Sequence, residues 1–124
     1  MDDELKIKAT EDSPAIVFER KSGDLTISGR SLPEDAFSFY APVIDWIVNY
    51  CNEPSLQTTV HFNLEYFNTA SSKQIFKIAT LLRDLSKKHK VQVKWHYDDG
   101  DKDMCDSGGR FSKLSGIPFE LIKN

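Results

Sequence analysis

Cysteine is scarce in this sequence: among 124 residues only Cys51 and Cys105 are cysteines. They have no CxxC spacing, and two thiols cannot make a disulfide framework, so they are read as free thiols of a reducing compartment. No apolar run approaches the ~18 residues of a membrane span, and the leading Met1, Asp2, Asp3, Glu4 are acidic where a secretory signal is basic and then apolar. The expectation is a cytoplasmic protein with no direct membrane insertion. Basic charge is also short. Sixteen Lys and Arg against nineteen Asp and Glu leave −3, the wrong sign for gathering phosphate backbones, and nucleic acid is excluded as the main partner. Six glycines and five prolines, with 40% apolar and 28% charged residues, exclude collagen-like, low-complexity and disordered chains. At this length one core, hence one domain, is expected.

Enzymatic signatures are missing as well. There is no Walker loop, no GxGxxG after a strand, no GxSxG elbow and no HExxH. His61 and His96 fall on polar faces of expected strands and His89 in a basic helix end, without metal-ligand spacing, so they read as surface residues and no metal site is assigned.

The hydrophobic periodicity that is present describes an α/β protein. Leu5 and Ile7 alternate with lysines, Ala15, Ile16, Val17 and Phe18 form a β-branched run, and Leu25 and Ile27 alternate after the turn signal Ser22, Gly23, Asp24. These predict three short strands, the second and third a hairpin. Ser31, Pro33 and Glu34 have the spacing of a capping box with a first-turn proline. They predict a helix start, with an apolar stripe of Phe37, Tyr40, Ile44, Ile47 or Val48 and Cys51, ended by Pro54 and open to a kink at Pro42. From Gln57 to Phe67, Val60, Phe62, Leu64 and Tyr66 alternate with polar residues as a long half-buried strand. The run Asn68, Thr69, Ala70, Ser71, Ser72 then opens a helix whose stripe is Ile75, Ile78, Ala79, Leu82 and Leu85, and whose cationic end suits its macrodipole. A strand over residues 91–97 and a closing strand over 117–122 follow, with residues 101–114 open between a short helix and an ordered loop. Strands separated by helices favour parallel pairing, so the expected fold is a mixed β-sheet flanked by helices.

Two polar clusters carry candidate chemistry. Asp98, Asp99, Asp101, Asp103 and Asp106 could bind a hard cation, form a solvated loop, or dock a basic partner. An EF-hand is rejected, since the glycine at its sixth position and the glutamate at its twelfth are missing. The second cluster is Thr69, Ser71 and Ser72 at the helix start. These hydroxyls are ordinary caps on one reading. On another, one of them accepts a phosphoryl group, with Asn68, Ser71, Ser72 and Lys73 as neighbours and the helix N-terminus accommodating the charge.

Three blocks carry a resemblance: residues 27–34 with Phe39, Tyr40, Ala41, Pro42, Val43 and Trp46; residues 66–73 around Asn68 and Thr69; and Trp95, His96, Tyr97, Asp98 and Asp99 followed by Asp103 and Met104. Together they resemble the SiaC family of bacterial phosphoproteins, over residues 1–124 as one domain. The resemblance implies a non-enzymatic partner switch, STAS-like in layout and without a cofactor. It implies phosphorylation of Thr69 by a partner kinase and reversal by a PP2C-type phosphatase. It also implies that the unphosphorylated form binds and activates a diguanylate cyclase, raising cyclic di-GMP and favouring biofilm formation. The rivals are a small metal-dependent enzyme built on the acidic run and a scaffold that is never modified.

Overall fold

The computed structural model describes residues 2–124. Nine elements follow in chain order: β1 (Glu4–Ile7), β2 (Ala15–Glu19), β3 (Asp24–Ser31), α1 (Ala36–Asn52), β4 (Gln57–Phe67), α2 (Thr69–Ser86), β5 (Lys90–Tyr97), α3 (Lys102–Ser115) and β6 (Phe119–Lys123). The strands lie in one sheet in sequence order. β1, β2 and β3 pair antiparallel, and β3, β4, β5 and β6 pair parallel. Each βαβ crossover therefore adds the next strand in the same direction. Right-handed crossovers that all advance one way put all three helices on one face of the sheet.

One-sided covering explains the strand patterns. Ile16 and Phe18, Leu25 and Ile27, Val60, Phe62 and Leu64, and Val93 and Trp95 are buried beneath the helices. Val17, Asn63 and Gln92 stand exposed on the other face. Trp95 is the centre of one half of the core, with Phe62, Phe111 and Phe119 rings at centroid distances of 5.4, 5.4 and 5.9 Å. Its indole N–H donates to the Met104 carbonyl at 2.9 Å, which satisfies the one polar atom of a fully buried ring. Trp46 anchors the other half: it stacks on Tyr50, packs on Phe18 and donates to the Asp2 carbonyl at 2.9 Å.

The structure corrects the sequence reading at three places. Ser31 does not cap a helix: it is the last residue of β3, paired with Phe67 of β4 and fully buried. The cap of α1 is Asp35, whose carboxylate accepts from the backbone N–H and the hydroxyl of Ser38 at 3.1 and 2.8 Å. These bonds hold its pKa below the ordinary carboxylate value. A short-range capping pattern cannot register that the sheet claims Ser31 first. α1 runs unbroken through Pro42, and Ser38, whose carbonyl loses its helical partner there, is exposed to water. Its buried stripe is Ala36, Tyr40, Val43, Trp46, Ile47 and Tyr50, while Phe37 is 66% exposed. Finally, Tyr66 turns outward. The β3–β4 register shifts after Gly29, so that Arg30 pairs with Tyr66 instead of Glu65. Such a bulge reverses which side chains face the core. Phe67 takes the inward place against Trp95 and Phe111.

Residues left open between helix and loop form α3, capped by Asp101, whose side chain accepts from Met104 N–H at 3.0 Å, and ended by Gly116 in the left-handed region. The close approach of α3 to β5 depends on Gly108, where a Cβ would stand 2.4 Å from Trp95 Cδ1. Gly109, one residue on, has open space around the same position. Gly108→Ala is therefore expected to cost about 1–3 kcal/mol by overpacking. Gly109→Ala should be neutral or stabilise by up to about 1 kcal/mol through helix propensity. Urea denaturation of both variants checks this, and an equal response would show that the approach of α3 is set elsewhere.

Candidate functional site

Parallel strands β3, β4 and β5 end at the same edge of the sheet, and the starts of all three helices lie just beyond them. That edge is where open α/β sheets hold their ligands, because strand ends diverge and helix N-termini converge there. At its middle, Asn68 caps α2, its Oδ1 accepting from Ser71 N–H at 2.8 Å. Its own N–H donates to the Ser31 carbonyl at 3.0 Å, so the cap is bonded to the end of β3.

The three hydroxyls behind the cap have different fates. Ser71 is fully buried, and its hydroxyl donates to the Ser31 carbonyl at 3.0 Å. Ser31 Oγ donates to Ser71 Oγ at 2.8 Å, which leaves Tyr40 to donate its phenolic proton to Ser31 Oγ at 2.6 Å. Every proton in this chain has an acceptor. Burial pushes the Tyr40 phenol up to about 12, against a smaller opposing effect of its bond with Ser31. Ser72 is half-buried and turns its hydroxyl back onto the Thr69 carbonyl at 2.7 Å. Thr69, the first residue of α2, is exposed. Helical geometry provides the N–H groups of Thr69 and Ala70 with no partner within the helix.

Thr69 opens onto a groove of about 360 Å³ between α2 and α3, lined also by Phe67, Ser72, Ser107 and Arg110. The Arg110 guanidinium donates to Ser107 Oγ at 3.1 Å, which holds the cation at the groove wall. Lys73, the basic neighbour suggested by sequence, is exposed and does not line the groove. Arg110 stands 41 positions from Thr69 along the chain, and no local pattern in the sequence links them.

The acidic run reaches the same edge. A second cavity of about 270 Å³ shares Phe67 and Ser107 with the first and is lined by Asp101 and Asp103. Several of its aspartates have structural partners: Asp101 caps α3, Asp98 accepts from the Asn124 side chain at 3.1 Å, and Asp99 lies 4.0 Å from Lys123 Nζ. Asp103 is exposed in the first turn of α3, where a carboxylate suits the helix dipole. Among the described residues no three His, Cys, Asp or Glu side chains gather as a metal site. His61 and His96, unrelated by spacing, meet at 3.0 Å on the uncovered face. Burial, then His96 and Lys94, hold the His61 pKa below its ordinary value.

A family model described as the SiaC family regulatory phosphoprotein matches residues 7–124. The chain belongs to the SiaC family. It is similar to SiaC of Pseudomonas aeruginosa, with 27% identity, 98% of both chains covered and a TM-score of 0.87. It is also similar, at 27% identity and a TM-score of 0.90, to SiaC in a crystal structure with the diguanylate cyclase SiaD, where SiaC is described as the activator. There 97% of this chain and 99% of that one are covered. An uncharacterized protein of Pseudomonas aeruginosa strain UCBPP-PA14 is 28% identical over 119 residues, 95% of this chain and 94% of its own. The SiaC fold is thus the same single mixed sheet under three helices, and none of the helices described here is long and apolar enough to cross a membrane.

Tyr40→Phe removes the proton donor that feeds Ser31, and is expected to cost on the order of 1–2 kcal/mol. Because the folded pKa is raised, the contribution of Tyr40 is complete below its ordinary value near 10 and is lost as pH rises through about 12. Denaturation at neutral pH and across that window should show the neutral-pH loss in Tyr40→Phe and a shallower alkaline decline than in the parent. Equal alkaline slopes would mean that the phenol is not held neutral by the core.

Proposed function

We propose that this SiaC-family chain is a non-catalytic, phosphorylation-controlled regulator acting in the cytoplasm. In this reading its unphosphorylated form binds and activates a diguanylate cyclase, and phosphorylation of Thr69 by a partner kinase releases it. A PP2C-type phosphatase restores the binding form, and the output is a change in cyclic di-GMP and biofilm formation. The observation that carries the reading is the sorting of hydroxyls at the start of α2. Thr69 is exposed, Ser71 is locked in the core and Ser72 is turned back onto the helix. A kinase that reaches this edge finds Thr69 presented to it. The family description as a regulatory phosphoprotein and the activator role of the SiaC seen with SiaD support the same direction.

The chemistry follows from the geometry. Phosphoryl transfer from a nucleoside triphosphate to Thr69 Oγ1 releases the nucleoside diphosphate, passes the hydroxyl proton to a base of the kinase or to solvent, and leaves nearly two negative charges at the surface. The macrodipole of α2 and its unpaired leading N–H groups favour that charge, and Arg110 is the cation among the residues that line the groove. The fold therefore accepts the modification. A partner docked over the groove does not, because it must strip water from a dianion or meet it with its own carboxylates. An uncompensated charge buried at an interface costs several kcal/mol. Exposed Tyr66 and Leu114 flank this edge as apolar contact area. Asp103 and Asp106 offer a basic partner complementary charge.

Thr69→Ala is expected to abolish phosphorylation by the cognate kinase while leaving cyclase binding and activation intact, with circular dichroism unchanged. Phosphopeptide mapping and calorimetric titration against the cyclase read the two parts separately. Phosphate found on Ser72 in the parent chain would overturn the site, and undiminished cyclase binding by the phosphorylated chain would overturn the switch.

A further inference from the structure

On the uncovered face of the sheet, His61 of β4 and His96 of β5 stand side by side. Nδ1 of His61 is 3.0 Å from Nε2 of His96, and the rings stack with centroids 5.3 Å apart and planes 28° from parallel. Two neutral imidazoles at that distance share one proton, so one nitrogen donates and the other accepts. Asn124 decides which. Its Nδ2 donates to Asn63 Oδ1 at 3.2 Å and to Asp98 Oδ1 at 3.1 Å, and its Oδ1 lies 3.3 Å from Nδ1 of His96. With the amide nitrogen engaged by two acceptors, the amide oxygen is left to accept from His96. Nδ1 of His96 therefore carries a hydrogen, and Nε2 turns a lone pair toward His61. A carbonyl-type oxygen behind the N–H of an imidazole is the support that metal-ligating histidines use to fix their tautomer and raise their basicity.

We propose that His61 and His96 bind a divalent late transition cation, Zn²⁺, Ni²⁺ or Cu²⁺, through Nδ1 of His61 and Nε2 of His96, with water in the remaining positions. Two nitrogens each about 2.0–2.1 Å from a tetrahedral metal lie about 3.3 Å apart. The observed 3.0 Å is within a few tenths of an ångström of that, so the rings need only a small rotation. Binding requires the hydrogen on His61 Nδ1 to move through solvent to Nε2 of the same ring. No net proton is released from the neutral pair. Imidazole nitrogens select these cations over Mg²⁺ and Ca²⁺, which require oxygen ligands.

The surroundings are mixed in charge. Lys94, the register partner of His61 on the same face, opposes a cation, while Asp24 one strand away and Asp98 behind Asn124 favour it. A bound cation would cross-link β4 to β5 and, through Asn124, the end of β6. The site is separate from the groove at Thr69 and does not depend on the phosphorylation reading.

The test uses the full-length chain without an affinity tag. ZnCl₂, NiSO₄ and CuSO₄ are titrated in by calorimetry, and Ni²⁺ is followed through broadening of the histidine Cε1–H resonances. At least one of these cations is expected to bind saturably at one per chain and to raise the melting temperature by mass action, whereas Mg²⁺ and Ca²⁺ are inert. His61→Gln and His96→Gln should each weaken binding at least about tenfold, and Asn124→Ala about tenfold through loss of the supporting oxygen. His89→Gln should leave it unchanged. The absence of saturable binding with all three cations would overturn the proposal, as would retention of full affinity in His61→Gln or its loss in His89→Gln. Should a variant fold poorly, the resonances of the parent chain decide: selective broadening of His61 and His96 supports the site, and broadening centred on His89 refutes it.

Discussion

The hydroxyl chain from Tyr40 through Ser31 to Ser71 is the interaction on which the working edge of this protein depends. Three fully buried polar side chains from α1, β3 and α2 must satisfy one another, because no water reaches them. Unsatisfied, each would cost more than a hydrogen bond returns in water. Their mutual satisfaction sets the position of α2 on the sheet to within hydrogen-bonding tolerance. It also commits Ser71 to the interior and leaves Thr69, two residues earlier on the helix, facing outward. A structural bond thus selects which hydroxyl is exposed at the start of α2.

Parallel pairing supplies the rest of the edge. Because β3, β4 and β5 run in the same direction and each is followed by a helix, the starts of α1, α2 and α3 fall at one end of the sheet. Caps, the first-turn carboxylate of α3 and free N–H groups accumulate there without any having been placed individually. The acidic run is one product of that arrangement: its aspartates cap α3 and hold the C-terminal residues, and Asp103 lines the cavity adjoining the groove at Thr69. Arg110 is another, delivered across the groove by a helix whose depth on the sheet depends on Gly108 lying against Trp95. Core packing and the electrostatics of the surface are therefore linked through α3.

The same one-sided winding leaves the opposite face of the sheet bare, and polar side chains on neighbouring strands there interact with one another in place of helices. His61, His96, Asn63 and Asn124 form such a group. Strand spacing brings them together, since adjacent strands lie about 4.8 Å apart whatever the separation of their residues in sequence.

Much of the fold was legible in the sequence because its signals are local. Period-two alternation marked β4 to its observed ends, Gln57 and Phe67, and Asn68 with its serines marked the start of α2. The sequence has no long apolar run, and none of the described helices is long and apolar enough to cross a membrane. The blocks that resemble the SiaC family pointed to the family that the chain belongs to. What the sequence could not show were the outcomes of competition between distant groups. Ser31 looks like a helix cap until the sheet and Tyr40 claim it, and Tyr66 reads as inward until a bulge gives its place to Phe67. Residues 101–114 read as loop or helix alike until Trp95 offers Gly108 a surface to pack on. Arg110 beside Thr69, and His61 beside His96, have no expression in sequence spacing. Local periodicity is set by the backbone geometry of one element, whereas these pairings exist only when several elements have docked, and only the tertiary structure brings them together.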